Sequence, residues 1–146
     1  MAYDYKKEYK EFYMPKNKPS IVDVPAMNYI AVRGKGNPNE ANSEYKQSIG
    51  LLYAIAFTIK MSKKEMDFSK VEFMHYEEGL CVQMMHTGAY DDEPASIAWM
   101  DEYVRENGYM NDISDKRMHH EIYLSDARRV APEKLKTVIR HPIRKS

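Results

Sequence analysis

Glu78-Gly79-Leu80-Cys81-Val82-Gln83-Met84-Met85-His86-Thr87-Gly88, with Tyr90-Asp91-Asp92-Glu93-Pro94 just beyond it, is the stretch on which the fold turns. Leu80 to His86 has the density of Val, Met and Leu expected of a buried strand, and Gly88 closes it. Upstream, Val71 to Tyr76 reads as a second strand, and Glu77-Glu78-Gly79 as the turn of a hairpin joining the two. Downstream, Thr87 to Asp92 is a loop. Pro94 then suits the first turn of a helix, because a proline there costs no hydrogen bond. Ile97, Met100 and Val104 recur at helical spacing, and Gly108 stands where a helix ends.

Working outward, Met27 to Arg33 alternates as a strand after Ile21 to Val24 and Pro25, and Gly34, Gly36 and Pro38 end it. A helix starts near Asn42 or Ser43, either of which can cap it, and runs to about Lys60. Ile49, Leu52, Ile55, Ala56 and Ile59 form its apolar face, flanked by Tyr45, Tyr53 and Phe57. Residues 62–70 are a polar connector. Arg117 to Leu124 and Leu135 to His141 read as the last strands, with loops at 111–115 and 125–133. The order strand, helix, hairpin, helix, strand, strand predicts an α+β domain, an antiparallel sheet with helices on one face.

The chain has 146 residues, 43% hydrophobic and 30% charged, which fits one folded domain. Its 22 basic and 22 acidic residues cancel, which argues against a nucleic-acid surface. The basic end, Arg140 to Lys145, reads as a solvated tail. No apolar run is long enough to span a membrane, and residues 1–11 lack the apolar core of a secretory signal. A single cysteine, Cys81, cannot form an intrachain disulfide and points to a reducing, cytoplasmic setting; it reads as a buried apolar residue rather than a nucleophile. Twelve tyrosines and 11 methionines suit either core filling or a cavity for aromatic ligands.

His119-His120-Glu121-Ile122-Tyr123-Leu124-Ser125-Asp126 carries the candidate chemistry. Side chains alternate across a strand, so His119, Glu121 and Tyr123 share one face and His120, Ile122 and Leu124 the other. Ile122 and Leu124 are expected against the helices, with Glu121 and Tyr123 lining an open, concave face. A carboxylate among aromatics attracts a cationic ligand when ionised, or acts as an acid or base when desolvation raises its pKa. A solvent-facing strand glutamate fits the periodicity equally well. His75, His86, His119, His120 and His141 show no metal-ligand spacing, so no metal is expected. Gly34-Lys35-Gly36 is a turn rather than a phosphate loop. Trp99 on the second helix could stack a ligand, but packing explains it more simply.

Three stretches resemble the GyrI-like small-molecule-binding family: Asp4 to Glu8 running through Lys18-Pro19; Glu78 to Gly88 with Tyr90 to Pro94; and His119 to Asp126 continuing through Lys134 to Pro142. The resemblance covers nearly the whole chain, and the first stretch points to a stand-alone subgroup with an N-terminal arm. It implies two strand-helix-strand-strand units with a ligand cleft between them. Members include multidrug-sensing effector domains and gyrase-inhibitory proteins, and some stand-alone members are similar to hydrolases that open the cyclopropane ring of DNA-alkylating natural products. The family's central acid matches Glu121, and an aromatic position beside it matches Tyr123. His119, Tyr53, Tyr90 and Trp99 complete the candidate ligand contacts, and no cofactor is implied.

The chain departs from that pattern in one place. Residues 1–19 form the arm, 20–64 a first unit and 65–146 a complete second unit. The first unit lacks two aromatic-rich strands and a helix where Lys63-Lys64 runs into Glu65 to Lys70. That shortening predicts an uncovered sheet edge and a homodimer. Three functions compete: binding of planar, aromatic or cationic molecules; hydrolysis of cyclopropane-containing compounds by Glu121 and Tyr123; and a shortened or engineered scaffold with no ligand.

Overall fold

A computed structural model of the chain describes residues 4–36, 40, 43–58 and 69–146. In chain order the elements are helical turns α1 (Tyr5–Glu8) and α2 (Lys10–Tyr13), strands β1 (Ser20–Val24) and β2 (Met27–Val32), helix α3 (Glu44–Thr58), strands β3 (Val71–Tyr76) and β4 (Gly79–Thr87), helix α4 (Glu93–Glu106), and strands β5 (Tyr109–Asn111), β6 (His120–Tyr123) and β7 (Lys136–Lys145). Two compact units result: Met1–Pro25 with Glu77–Ser146, and Ala26–Tyr76. The domain is α+β with antiparallel sheets. The strand-helix-strand-strand order runs complete through β4, α4, β6 and β7. Its counterpart runs β2, α3 and β3, one strand short among the described residues. The shortened connection falls mostly on residues 59–68, outside the described residues.

In the unit Ala26–Tyr76, β2 and β3 pair antiparallel, with Tyr29 opposite Met74 and Ile30 opposite Phe73. The expected hairpin between β3 and β4 does not form. Gly79, at φ 63°, does make a turn, but there the chain leaves one sheet for the other, and β4 takes β1 and β7 as neighbours. Ser43 caps α3, its hydroxyl accepting from the Lys46 amide at 3.4 Å.

In the larger unit the sheet order is β1-β4-β7, and the far edge of β7 is shared by β6 and β5. β7 is therefore a central strand, and the basic end is no solvated tail: Val138, Ile139, Arg140, His141 and Ile143 are all buried. The strand read as ending at His141 runs on through Pro142, which sits where β7 changes partner from β6 to β5, so its missing N–H interrupts nothing. β6 is shorter than the expected 117–124 because Arg117 donates to the carbonyls of Glu78, Leu80 and Ile143, which holds its own segment out of the ladder. β5, over residues read as helix end and loop, pairs with the end of β7.

Register assigns the faces. Val82, Met84, Ile139 and Ile143 pack with Met100 and Val104 of α4, so the α4 stripe buries as its spacing predicts. Burying each such side chain contributes about 1.5–3 kcal/mol. On the other face Val22, Val24 and Cys81 pack with Phe12 of the arm. The arm is tied down there by hydrogen bonds: Gln83 Nε2 to the Glu11 carbonyl at 2.9 Å, the Met85 amide to the Lys16 carbonyl at 2.9 Å, and Arg140 to the Phe12 carbonyl at 2.7 Å.

Candidate functional site

Glu121 lies opposite Ile139, and Tyr123 opposite Thr137, while Ile139 belongs to the α4 core. Glu121 and Tyr123 therefore share the face that α4 packs on. The expectation was the reverse, with Ile122 toward the helices. Ile122 lies opposite Val138 and His120 opposite Arg140, so these two belong with the arm. The alternation was read correctly. Which side the helix takes is fixed by residues on β4 and β7, and β6 alone carries no record of it.

On that face four side chains form a chain of hydrogen bonds. Tyr123 donates its hydroxyl to Glu121 Oε2. His119 Nε2 lies 2.6 Å from Glu121 Oε1, and His119 Nδ1 lies 2.6 Å from His141 Nε2. The bond from His119 holds the Glu121 carboxyl below its ordinary range; burial opposes this, and the Tyr123 bond adds to it. An ionised Glu121 can only accept, so the hydrogen sits on His119 Nε2. Burial, then the charge of His119, pushes His141 down toward the neutral form. The His141 Nδ1 is buried and unpartnered among the described residues.

Beyond Tyr123 the face meets the start of α4. The Tyr90 ring stands edge-on to Tyr123 at 5.5 Å, and both rings are exposed. Glu93, the first residue of α4, is buried, and its carboxyl is pushed up by burial and then by the charge of Glu121. Its Oε1 and the Thr137 hydroxyl are both buried, and a side-chain hydrogen bond from Thr137 offsets part of that upward push. His86 of β4, opposite Thr137 of β7, donates from Nε2 to the Ala89 carbonyl at 3.0 Å and takes Ser96 at its Nδ1 at 2.9 Å, fixing the loop that carries Tyr90. The two carboxyls thus stand in opposed environments, Glu121 held low by its hydrogen bonds and Glu93 pushed up by burial.

Of the residues expected at the site, Glu121, Tyr123, His119 and Tyr90 come together. Trp99 lies on the exposed flank of α4, beside the buried stripe. Tyr53 lies on α3 in the other unit and is exposed. Glu93, Thr137 and His141 were missed. His141 shares parity with Ile139 along β7, and that spacing could have placed it. Nothing in the sequence marks Glu93, since an acid at a helix start ordinarily complements the dipole in water. No group of three His, Cys, Asp or Glu among the described residues is arranged to hold a metal. No helix among them is long and apolar enough to cross a membrane. A groove of about 440 Å³ between the arm and β1, lined by Lys10, Lys16, Lys18 and Met14, is separate from the Glu121 cluster.

The sequence profile of the GyrI-like small molecule binding domain matches residues 69–144. The chain belongs to the GyrI-like family. Its similarity to known structures runs end to end. A crystal structure of a hydrolase from Listeria innocua is 33% identical, with a TM-score of 0.87 over 98% of this chain and 100% of that one. A conserved protein of uncharacterized function from Listeria innocua is also 33% identical, with a TM-score of 0.88 over the same shares. The C-terminal domain of EcmrR, at 15% identity and a TM-score of 0.57 over 88% of this chain and 98% of that one, shows the fold alone. No curated protein matches. The GyrI-like match ends within β7 and takes in α4, β6 and every member of the Glu121 cluster.

Proposed function

We propose that this GyrI-like chain binds small planar organic molecules against Tyr90, Tyr123 and Glu121 and hydrolyses them, with Glu121 as the base that takes a proton from the attacking water. The observation that carries this reading is the clamp on Glu121. A half-buried carboxylate held ionised by His119 and oriented by Tyr123 is prepared to accept a proton at a fixed place. A carboxylate meant only for solvent needs no such partners. The hydrolase name of a Listeria relative similar over its full length supports the reaction class. The substrate class comes from the family resemblance: an electrophilic cyclopropane conjugated to a ring carbonyl, as DNA-alkylating natural products carry. Tyr123, whose hydroxyl is given to Glu121, orients the base.

The test is incubation of such a cyclopropane-bearing ring ketone with the protein, following the water adduct by chromatography and mass spectrometry. Wild type is expected to form the adduct well above the buffer rate, and Glu121→Gln to form it at the buffer rate. Adduct formation by Glu121→Gln at the wild-type rate contradicts the proposal. A second reading, binding without chemistry, is favoured by the two exposed rings beside one carboxylate. It predicts that a planar cationic dye binds, that Glu121→Gln binds it more weakly, and that no substrate is consumed.

The setting and assembly belong to the same proposal. A lone, buried, unbridged thiol at Cys81 fits a reducing cytoplasm. Phe73 and Ile30, opposite each other across β3 and β2 and both exposed, supply an apolar patch for a homodimer. Light scattering should then give twice the 17.1 kDa chain mass, and a single-chain mass removes the dimer from the account.

A further inference from the structure

The groove between the arm and β1 lies on the arm side of the sheet, away from the α4 core, and shares no residue with the Glu121 cluster. We propose that it is a second binding site, for a free single-chain aliphatic anion such as a fatty carboxylate. The tail lies on Met14, Pro15 and Val22, and the charge is met by Lys10, Lys16 and Lys18.

The way the arm is fastened builds the groove. On one side of Met14 and Pro15, the Glu11 carbonyl accepts from Gln83 Nε2 at 2.9 Å, and the Phe12 carbonyl accepts from Arg140 at 2.7 Å. On the other, the Lys16 carbonyl accepts from the Met85 amide at 2.9 Å, and Asn17 Nδ2 donates to the Thr87 hydroxyl at 3.2 Å. Gln83 and Arg140 are each 2% exposed, so the first pair of ties is sheltered from water. Met14 and Pro15 bridge the two sets, and Pro15 has no N–H to offer the sheet. The chain passes β1 without closing on it and leaves about 440 Å³, a volume typical of small-molecule sites. A site already held open by the fold loses little binding energy to ordering itself.

Its lining sets the chemistry of the ligand. Met14, Pro15 and Val22 are apolar, and lysine stems add methylene surface while their ammonium groups stay in water. No aromatic ring is among the described lining residues, so nothing there stacks a planar molecule as Tyr90 and Tyr123 can. Met14 is flexible and unbranched, which suits an alkyl chain. Three lysines stand against one acid, Glu11, in a chain whose charges cancel overall. None of the three ammonium groups is in an ion pair among the described residues. The rim therefore lacks an anion, and the floor lacks an apolar cover. A fatty carboxylate supplies both, its head staying hydrated among the lysines while its tail leaves water.

The probe is decanoate, kept below its aggregation concentration and followed by calorimetry and by NMR of labelled methionine methyls, with Met14 assigned by its loss in Met14→Leu. Decanoate should bind one to one and shift the Met14 signal. Octanoate and hexanoate should bind about two- to fourfold more weakly for each methylene removed. Decyltrimethylammonium, with the same tail and the opposite charge, should bind about tenfold more weakly than decanoate. The paired change Lys16→Glu with Lys18→Glu, both on exposed side chains, should turn that preference toward the cation. Equal binding of the two decyl probes to wild type, or decanoate binding that leaves Met14 unmoved, overturns the proposal whether or not the paired variant folds. Phosphatidylglycerol vesicles present the same charge fixed on a surface. Sedimentation of the protein with them, without binding of free decanoate, overturns the proposal in favour of a lipid surface.

Discussion

Replacing Glu78 by glutamine should destabilise the larger unit more than any surface change. Arg140 and Glu78 are each at most 3% exposed, with Arg140 Nη1 2.7 Å from Glu78 Oε2. The same guanidinium also donates to Gln83 Oε1 at 3.1 Å and to the Phe12 carbonyl, and lies 6.0 Å from the Phe12 ring. His120 holds the other Glu78 oxygen at 2.9 Å. At that 2.7 Å separation, with an effective dielectric constant of about 20, the gross attraction is about 6 kcal/mol. Glutamine keeps an acceptor for Arg140 but leaves a buried positive charge uncompensated, a change that costs about 3–5 kcal/mol. Against a total stability of about 5–15 kcal/mol, that is a large fraction. Trp99, the single tryptophan, sits on α4 and reports the unit that contains the pair. Urea unfolding followed by Trp99 fluorescence should show the Glu78→Gln midpoint lower by about 2 M. The double change Glu78→Leu with Arg140→Met should recover most of the loss, because no buried charge remains. A Glu78→Gln midpoint within about 0.3 M of wild type would refute the reasoning.

Three further outcomes follow from the same geometry. Met100→Ala, at a fully buried position of the α4 core, should cost about 2–5 kcal/mol, read from the same urea curves. Cys81 is buried, and desolvation pushes its thiol up to about 12, so a thiol reagent at neutral pH should label it only at the rate of unfolding. In Glu78, burial is outweighed by the bond from His120 and the charge of Arg140, and in Glu121 the bond from His119 prevails, so both carboxyls sit below their ordinary range. Their contribution is present above the unfolded carboxylate range and lost as pH falls through the folded values. The raised Glu93 acts in the opposite sense, its contribution fading as pH rises. Urea midpoints should therefore fall steeply on acidification, and less steeply in Glu121→Gln.

Local pattern made much of this fold legible. The α4 stripe, the Gly108 stop at φ 77° and the Ser43 cap each act within one turn of chain, and each appears where the residues place it. The pairing of strands was not legible. A turn at Gly79 looks like a hairpin whether the strand before it pairs with the strand after it or with β2. The choice rests on contacts between residues far apart in sequence. β7 was truncated in the reading for a related reason. The basic run from Arg140 to Lys145 looks like solvent, yet Arg140 is neutralised by Glu78, and the strand passes Pro142 at the exchange of partners. At the site, alternation placed His119, Glu121 and Tyr123 together because a strand repeats every two residues. Thr137 joins them through the pairing of β6 with β7, and Glu93 through the docking of α4, neither of which a local pattern records.

The most direct test of the account is the rate of water addition to the cyclopropane-bearing ring ketone by Glu121→Gln beside wild type, with circular dichroism confirming that the variant is folded. Loss of about a hundredfold or more in kcat/KM is the predicted result, since the amide cannot take the proton of water. A folded variant that retains the wild-type rate would contradict it and remove Glu121 from the chemistry.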